Sequence, residues 1–327
     1  MPAPRLACIM PFLNEAKHLP KVLASLEDQS LARERIFLIA VDNGSSDGGE
    51  ALVAAWLART GTAGTLVRAD LRSIPHALNV GLSHVSEDDI VVRLDAHTIY
   101  DPTYLATIAE AFEELGPRAW CVGGAPTPAP AEDFSSALGE ALYSNPMGLG
   151  PADFRHDADR VRQVSTVYLG AWRPGVLQAL GGFDERWAAN EDCELTERIA
   201  EVGGEVYRIP VHCGRICTRG PLATVRQWSR YGFWRAQTFK RYPTAIRARH
   251  VVAPGVLLAA LGLLFSPLRL ALLPLYVLYA LAAIALRRSG ERPLVTACSL
   301  VFFPFVHSAY AAGLMLGALR SPASLRD

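Results

Sequence analysis

Short apolar runs alternate with helix-like patterns along the first third of the chain, and this alternation constrains the fold more than any other feature. The runs at residues 6–11, 35–41, 65–68 and 89–94 have the length of buried strands, and apolar residues recur at helical spacing between them. Strands separated by helices pair in parallel, because a parallel pair needs a crossover connection. The sequence therefore predicts an α/β domain with a doubly wound, Rossmann-like parallel sheet, whose ligands bind outside the carboxyl ends of the strands.

Polar residues follow three of these strands, at the points where such ligands bind. Asn14 and Glu15 follow the first strand, Asp42 ends the second, and Asp95 and His97 follow the fourth. An i, i+2 spacing lets Asp95 and His97 face one ligand, and a carboxylate with an imidazole suits a divalent cation, Mn²⁺ more than Mg²⁺. The alternatives are that Asp95 caps a turn, His97 is a polar loop residue and Asp42 is a turn residue rather than a nucleoside ligand.

Several classes of function are disfavoured by what the sequence lacks. No Gly-x-Gly-x-x-Gly follows the first strand and no P-loop motif occurs. The 32 basic and 32 acidic residues give no net charge, so no global basic field favours nucleic acid. The scattered cysteines indicate reduced thiols, and the pair at 213 and 217 lacks the partners of a zinc site. With no export signal in its N-terminal sequence, we expect the first domain to face the cytosol.

The middle of the chain predicts a second group of functional residues. After a helix at 102–115 and a strand at 120–123, residues 124–162 lose periodicity and predict a lid or binding loop with acceptor contacts. A strand follows at 164–169. Asn190 then precedes a predicted helix whose first turn contains Glu191, Asp192 and Glu194. The helix dipole alone could explain these acidic residues, because it favours negative charge at a helix N-terminus. If the crevice binds a sugar nucleotide, Asp192 is the candidate base that takes the proton of an acceptor hydroxyl.

Charged residues almost vanish after residue 250. This change predicts that the C-terminal part is surrounded by a solvent other than water. Residues 251–265, 270–286 and 294–319 are apolar, and the third run is long enough to span a bilayer while the first two are near the lower limit. Basic residues flanking these runs place the first domain on the cytosolic face. The aromatic and basic run at 225–241 is typical of a membrane interface. The alternative is a buried hydrophobic domain.

Six ordered motifs resemble those of family 2 inverting glycosyltransferases with the GT-A fold. They are Pro11-Phe12-Leu13-Asn14-Glu15, Val41-Asp42-Asn43-Gly44-Ser45-Ser46-Asp47-Gly48, Ala77-Leu78-Asn79-Val80-Gly81, Arg93-Leu94-Asp95-Ala96-His97, Gly170-Ala171-Trp172-Arg173, and Gly182-Phe183-Asp184-Glu185 with Asn190-Glu191-Asp192. Asp95-Ala96-His97, Asn145-Pro146-Met147-Gly148-Leu149-Gly150 and Gln227-Trp228-Ser229-Arg230-Tyr231-Gly232 further resemble the membrane-attached glucosyltransferases of succinoglycan-type exopolysaccharide assembly.

The resemblance implies a role for each matching residue and a cofactor, Mn²⁺ or Mg²⁺. Asp192, with Glu191 beside it, would be catalytic. The donor-binding residues would be Pro11, Asn14, Glu15, Asp42, Asn79, Arg93 and Asp95; the metal ligands Asp95, His97 and His212; and the acceptor or diphosphate contacts Gly170, Trp172, Arg219, Gln227, Arg230 and Tyr231. His212 could equally be an ordinary histidine at a strand end. Processive relatives carry Gln-x-x-Arg-Trp where this chain ends in Tyr231, so processivity stays open.

These expectations combine into one organisation and one activity. Residues 1–245 would form a cytosolic GT-A domain with an interface helix at about 221–241, and residues 246–327 a plasma-membrane region of two or three transmembrane helices. The activity would be the metal-dependent, inverting transfer of a hexose to a lipid-linked saccharide. The expected donor is UDP-glucose, and nucleic acid is not expected as a partner. Polyprenyl phosphate as acceptor, or a non-catalytic nucleotide-sugar-binding scaffold of a polymer-export complex, are the alternatives.

Overall fold

The computed structural model describes residues 3–149, 160–215 and 220–320. Contacts divide the chain into two compact units, one of residues 1–127 with 153–215 and one of residues 128–152 with 216–327. The units do not follow the predicted division at residue 245, and that division stays a prediction.

Strands and helices alternate along the first part of the described chain, and helices alone follow the last strand. In chain order the elements are β1 (Leu6–Phe12), α1 (Leu19–Glu27), β2 (Ile36–Asp42), α2 (Gly49–Thr60), β3 (Gly64–Arg68), α3 (Ile74–Leu82), β4 (Ile90–Arg93), β5 (Thr98–Tyr100), α4 (Tyr104–Glu114), β6 (Ala119–Pro128), α5 (Phe134–Ser144), α6 (Pro146–Leu149), β7 (Arg162–Gln163), β8 (Tyr168–Trp172), α7 (Val176–Ala179), α8 (Glu191–Glu201), β9 (Glu205–Arg215), α9 (Pro221–Arg241), α10 (Ala248–Leu264), α11 (Leu272–Ala285) and α12 (Pro293–Leu319).

The first unit is built on one sheet with the strand order β3-β2-β1-β4-β8-β6-β9-β5, and β7 lies beside β9. The four strands β3, β2, β1 and β4 pair in parallel, as the alternation of strands and helices predicts. The remaining part is mixed, because β8 runs antiparallel to β4 and β6, and β5 and β7 run antiparallel to β9. The parallel register aligns Phe12 with Asp42 and Asp42 with Arg68, so these strands end at one edge.

The core of the first unit lies on both faces of this sheet. All seven residues of β1 are buried. On one face Leu6, Cys8 and Met10 pack with residues of α1 and α4, and on the other Ala7 and Ile9 pack with residues of α3 and α8. A strand buried on both faces reads as one continuous apolar run, which is why β1 shows no alternation in the sequence.

The predicted irregular segment at 124–162 is wrong for much of its length, because β6 extends to Pro128 and the helices α5 and α6 follow. Asp133 begins α5 with a capping box, in which its Oδ1 accepts a hydrogen bond from the Ser136 amide at 2.7 Å. Leu138, Ala141 and Leu142 are buried along one side of this helix. Residues 150–159 lie outside the described residues. The Pro and Gly residues on either side of α5 predict irregular structure, although the apolar residues of this short helix recur at regular helical spacing.

The strand predicted at 164–169 is also wrong in position, since β7 and β8 occupy 162–163 and 168–172 instead. Gly170-Ala171-Trp172 is extended because it pairs with β4 and β6, which are distant in sequence. Leu169 has a φ of 48°, so the chain changes direction inside this strand.

The second unit is helical, and α9 packs closely along α12. A side chain at Gly232 would collide with the backbone of Tyr310, and one at Gly313 with the backbone of Ser229. The α5–α6 segment is held in the same unit by two polar contacts, in addition to the apolar cluster of Leu142 with α12 residues. The Asn145 amide donates to the Ala283 carbonyl oxygen at 2.8 Å, and His307 Nε2 lies 2.6 Å from the Gly148 carbonyl oxygen.

Among the described residues, α12 is the helix that is long and apolar enough to cross a membrane by length and composition, with a mean hydropathy of 1.6 over 18 residues. Its 27 residues correspond to about 40 Å, more than the roughly 30 Å of a hydrocarbon core. The apolar helices α10 and α11, with 17 and 14 residues, are shorter. Large apolar side chains near them are exposed, among them Phe265 at 86% and Leu270 at 81%.

Substitution of Gly313 by Ala tests the close packing of α9 and α12. The added methyl group would displace the Ser229 backbone, so we expect the free energy of unfolding in detergent to fall by about 1–3 kcal/mol, the usual cost of overpacking. Gly262→Ala is the matched control, because a side chain there meets no atom within 4 Å and alanine is the better helix former. Equal thermal midpoints for the two variants would contradict this packing.

Candidate active site

Asp42, at the end of β2, is 1% exposed, and its Oδ2 has no hydrogen-bond partner among the described residues. Its Oδ1 accepts a hydrogen bond from the Ser45 amide at 2.9 Å, and its Oδ2 lies 4.0 Å from Nε of Arg68. Within the described residues, the buried Oδ1 of Asn43 also has no hydrogen-bond partner. Buried acceptors without donors are costly, so a ligand that supplies N–H groups here would offset that cost.

A cleft of about 410 Å³, a volume within the range of small-ligand sites, opens where Asn43 follows β2. It is lined by Asn43, Gly44, Arg68, Ala69, Asp70 and Arg72. Sequence reasoning missed Arg68, Asp70 and Arg72. The signal for them was present, since Arg68 ends β3 at the same edge at which Asp42 ends β2.

The turn after β1 is tied to the turn after β2 by short-chain polar residues. Asn14 has a φ of 55°. Its side-chain Oδ1 accepts a hydrogen bond from the backbone amide of Ser46 at 2.9 Å, and its backbone amide donates to Ser45 Oγ at 3.0 Å. Asp47 accepts a hydrogen bond from the Ala16 amide at 2.7 Å. Pro11 is buried within β1. Asn14 thus shapes this edge of the sheet, and its contact with a nucleotide, like that of Pro11, stays a prediction.

Asp95, His97 and Glu15 form a polar group beyond β1 and β4. Nε2 of His97 lies 4.0 Å from Oδ2 of Asp95, and Nδ1 of His97 lies 3.3 Å from Oε1 of Glu15. Tyr168 donates to Asp95 Oδ2 at 3.4 Å. Within residues 3–149, 160–215 and 220–320, no three His, Cys, Asp or Glu converge as metal ligands. The predicted trio with His212 is therefore not assembled, and a metal role for His212 stays a prediction.

The carboxylate of Asp95 and the imidazole of His97 are donor types that suit one divalent cation. Neighbouring ligands of an octahedral ion that binds at about 2.1 Å are about 3.0 Å apart, so the 4.0 Å between Nε2 of His97 and Oδ2 of Asp95 would have to shorten for both atoms to bind it. Such ions keep several positions for water and substrate phosphates, which suits a site with few protein ligands.

Arg93, the last residue of β4, lies among three carboxylates. Its Nη1 donates to Oε1 of Glu191 at 2.8 Å, and its Nε lies 3.5 Å from Oδ1 of Asp95. Burial alone would lower the pKa of Arg93, but the charges of Asp95, Glu191 and Asp192 and the hydrogen bond to Glu191 raise that pKa above its ordinary value. The guanidinium therefore stays charged and draws the start of α8 towards the residues that follow β4.

Glu191 and Asp192 begin α8, which carries both predicted catalytic residues to this group. Glu191 is 8% exposed, and burial raises its pKa with help from the Asp192 charge, while Arg93 opposes the rise. Asp192 is half-buried, and its Oδ1 accepts from the Cys193 amide at 2.8 Å. Asn190, which precedes this helix, has a left-handed φ of 60° and makes no side-chain capping bond. That turn sets the direction in which the helix begins.

Asn79 holds the loop that leads to α8. Its Nδ2 donates to the Phe183 carbonyl oxygen at 2.9 Å, and its Oδ1 accepts from the Phe183 amide at 2.8 Å. The Phe183 ring packs edge-on against Trp172, with centroids 5.6 Å apart. Trp172 is 2% exposed, and Gly170 leaves space for its ring. Asn79, Trp172 and Gly170 therefore hold or pack against the loop that leads to α8. Their predicted contacts with donor or acceptor stay predictions.

The remaining predicted acceptor residues that the structure describes belong to α9 of the second unit. Gln227 Nε2 donates to the Tyr231 hydroxyl oxygen at 2.6 Å along one side of α9, and Arg230 is exposed on the same helix. Arg219 lies outside the described residues. A role in acceptor binding for these residues stays a prediction.

Comparisons with known proteins show what this chain is similar to. The family model described as "Glycosyl transferase family 2" matches residues 7–137, which contain β1, β2, β4 and the residues that follow them. The succinoglycan biosynthesis protein ExoA of Rhizobium meliloti (strain 1021) is 25% identical over 316 residues, which are 93% of this chain and 92% of that protein. Residues 7–137 of this chain are therefore similar to family 2 glycosyltransferases.

Solved structures confirm the α/β fold of GT-A type in this chain. The mannosyltransferase PcManGT from Pyrobaculum calidifontis, in complex with GDP-Man and Mn²⁺, superposes with a TM-score of 0.60 at 23% identity and covers 97% of this chain and 87% of its own. Residues 1–349 of TarS from S. aureus superpose with a TM-score of 0.50 at 14% identity, covering 94% and 92%.

Replacement of Arg93 by Met tests the ion pair on which this site is built. The change leaves Glu191 buried beside Asp95 and Asp192 without a counter-charge, so we expect the free energy of unfolding in detergent to fall by about 3 kcal/mol. The double variant Arg93→Met/Glu191→Gln leaves no unpaired charge at position 191 and should recover more than half of that loss. If the double variant is the less stable of the two, the pairing does not have this role.

Proposed function

We propose that this glycosyltransferase moves a hexose from a UDP-sugar, with UDP-glucose as the donor, onto a lipid-linked saccharide, with inversion at the anomeric carbon. The observation that carries the proposal is the position of Arg93 among Asp95, Glu191 and Asp192, since it joins a donor-side carboxylate to a candidate base. The name of the R. meliloti relative supports a place in exopolysaccharide or cell-surface glycan assembly.

The donor's nucleoside would lie in the cleft beside Asp42. A uracil ring has one N–H between two carbonyl oxygens, and the unpartnered Oδ2 of Asp42 is an acceptor for such a group. Arg68 and Arg72 line the same cleft and can donate to carbonyl oxygens. A site that pairs each polar group of the base would discriminate strongly among nucleotides, because a wrong base leaves buried groups without partners.

The transfer itself would be one displacement. The acceptor hydroxyl attacks the anomeric carbon from the face opposite the leaving diphosphate, which inverts the configuration. Asp192 accepts the hydroxyl proton as the bond forms, since a hydroxyl is far too weak an acid to lose it unaided. Glu191 is bound to Arg93 and therefore serves to hold Asp192 in place rather than to take the proton itself.

Asp95 and His97 would hold the divalent cation, Mn²⁺ or Mg²⁺, which neutralises the charge that develops on the leaving diphosphate. Glu15, 3.3 Å from His97, is placed to orient that imidazole by accepting a hydrogen bond from Nδ1. This leaves Nε2 of His97 and the carboxylate of Asp95 for the cation.

The second unit would attach the enzyme to the cytoplasmic face of the plasma membrane as a multi-pass protein and would present the lipid-linked acceptor. The long apolar α12, the exposed apolar side chains near α10 and α11, and the basic residues that flank these helices support this attachment. The basic Arg230, the aromatic Tyr231 and the amide of Gln227 on α9 are the candidates for contact with the acceptor at the interface.

Nucleotide release from a panel of donors, measured with purified enzyme, tests the donor. UDP-glucose, UDP-galactose and GDP-mannose should each be supplied with Mn²⁺ or Mg²⁺, with and without membrane lipid extract; GDP-mannose is included because the PcManGT structure holds it. We expect release of UDP from UDP-glucose that requires both a metal and lipid. Thin-layer analysis of the lipid products then separates a lipid-linked saccharide acceptor from polyprenyl phosphate.

Asp192→Asn tests the base and the non-catalytic alternative together. Without a proton acceptor, turnover should fall by about 10²–10⁴-fold, while donor affinity by titration calorimetry changes by less than about threefold. Asp88→Asn is the matched control, since Asp88 is an exposed residue outside the site. A scaffold that only binds nucleotide sugars would keep its cellular function in the Asp192→Asn variant, and that result would contradict the enzyme assignment of Asp192.

Asp42→Asn tests the nucleoside site. Asparagine keeps an oxygen for the Ser45 amide but presents an NH₂ group where the unpartnered oxygen of Asp42 lies. We expect affinity for UDP to fall by about 10- to 100-fold, the range of a lost charge-assisted hydrogen bond, with turnover at saturating donor close to that of the unmodified enzyme. Unchanged UDP affinity would remove Asp42 from the nucleoside site.

A further inference from the structure

The imidazole of His76, in the first turn of α3, bridges two carboxylates that lie far apart in the sequence. Its Nε2 lies 2.6 Å from Oδ1 of Asp70, and its Nδ1 lies 3.0 Å from Oε2 of Glu185. The His76 side chain is 17% exposed, whereas those of Asp70 and Glu185 are 84% and 43% exposed. The ring is thus held at the surface of the sheet unit with a carboxylate at each nitrogen.

This bridge needs a proton on both ring nitrogens. Ionised carboxylates only accept hydrogen bonds, so both nitrogens must donate, and only the imidazolium form does so. The charged groups that face the ring are Asp70, from the segment between β3 and α3, and Glu185, from the segment between α7 and α8. Burial alone would lower the pKa of His76, but the hydrogen bonds and charges of Glu185 and Asp70 raise it above its ordinary value.

The two ends of the bridge belong to different parts of the site. Asp70 lines the cleft beside Asp42. Glu185 also accepts a hydrogen bond from Nδ2 of Asn79 at 2.9 Å, and Asn79 holds Phe183 through two further bonds. The chain continues from Glu185 through the left-handed Asn190 into α8, where Asp192 lies. A displacement of Glu185 would therefore be carried along a short segment to the start of that helix.

We propose that His76 is a positioning residue that couples occupancy of the nucleoside cleft to the placement of the loop that carries the catalytic base. A donor in the cleft fixes the segment of Asp70, the imidazolium transmits that order to Glu185, and Asp192 is held for attack when a donor is present. The nucleoside as occupant of the cleft and Asp192 as the base rest on the proposed function, whereas the bridge from Asp70 through His76 to Glu185 does not. Nothing in the reaction requires His76 to touch substrate.

The coupling has a defined dependence on pH. The bridge is complete below the ordinary histidine pKa of about 6.5 and is lost as the pH rises through the raised pKa of the folded protein. Above that pKa the neutral ring donates to one carboxylate, and its other nitrogen faces an oxygen lone pair. Turnover should therefore decline on the alkaline side through this group.

Hydrogen exchange of the full-length enzyme in detergent, followed for peptides that cover residues 181–192, tests the coupling without relying on activity. At pH 6.5 with Mn²⁺, UDP should slow exchange in this loop by about threefold or more in the unmodified enzyme but by less than about 1.5-fold in His76→Gln. His84→Gln is the matched control, because His84 is an exposed histidine at the other end of α3, and it should behave like the unmodified enzyme.

Kinetics separate positioning from mere structure. In His76→Gln we expect kcat to fall by about tenfold with a donor KM within about threefold of normal, and the alkaline decline of kcat to flatten. Equal protection by UDP in His76→Gln and His84→Gln would overturn the proposal, as would parallel losses of UDP affinity and thermal midpoint in His76→Gln. If UDP fails to bind the unmodified enzyme, the proposed function fails instead. Faster loop exchange in His76→Gln without nucleotide would then still support the bridge.

Discussion

The buried charge of Arg93 is the interaction on which the site depends. Three carboxylates, those of Asp95, Glu191 and Asp192, would repel one another at the edge of a low-dielectric sheet. The guanidinium at the end of β4 offsets that repulsion and ties the first turn of α8 to the residue group that follows β4. A sheet with a parallel half, whose strands end at one edge, makes this arrangement possible, because it delivers residues distant in sequence to one place.

Local sequence patterns predicted the parts of the fold that local physics determines. The continuous apolar run of β1 and the polar turn after β2 placed Asp42 at a strand end, and the i, i+2 spacing placed Asp95 beside His97. The same patterns did not predict where β8 lies, because Gly170-Ala171-Trp172 is extended only by pairing with β4 and β6. They also did not predict α5. This helix is short, and its capping box at Asp133 follows a stretch rich in Pro and Gly residues.

The site was predictable as a set of residues but not as a set of contacts. Arg93 was expected to bind the donor, yet its visible partner is Glu191, and nothing in β4 indicates a partner 98 residues later. The bridge from His76 to Glu185 spans 109 residues, and its members look in the sequence like ordinary surface residues. Ion pairs of this kind depend on how loops fold over the sheet, which periodicity and turn chemistry do not encode.

The contact between Gly148 and His307 has a consequence for how the protein is made, because the two residues are 159 positions apart. During translation at roughly 5–20 residues per second, the segment around α6 would leave the ribosome about 8–30 seconds before its partner in α12 exists. During that interval the apolar side of α5 lacks the part of its native cover that Phe302, Phe303 and Val306 of α12 provide. The native packing of this helical unit is therefore completed only after its last long helix has been synthesised.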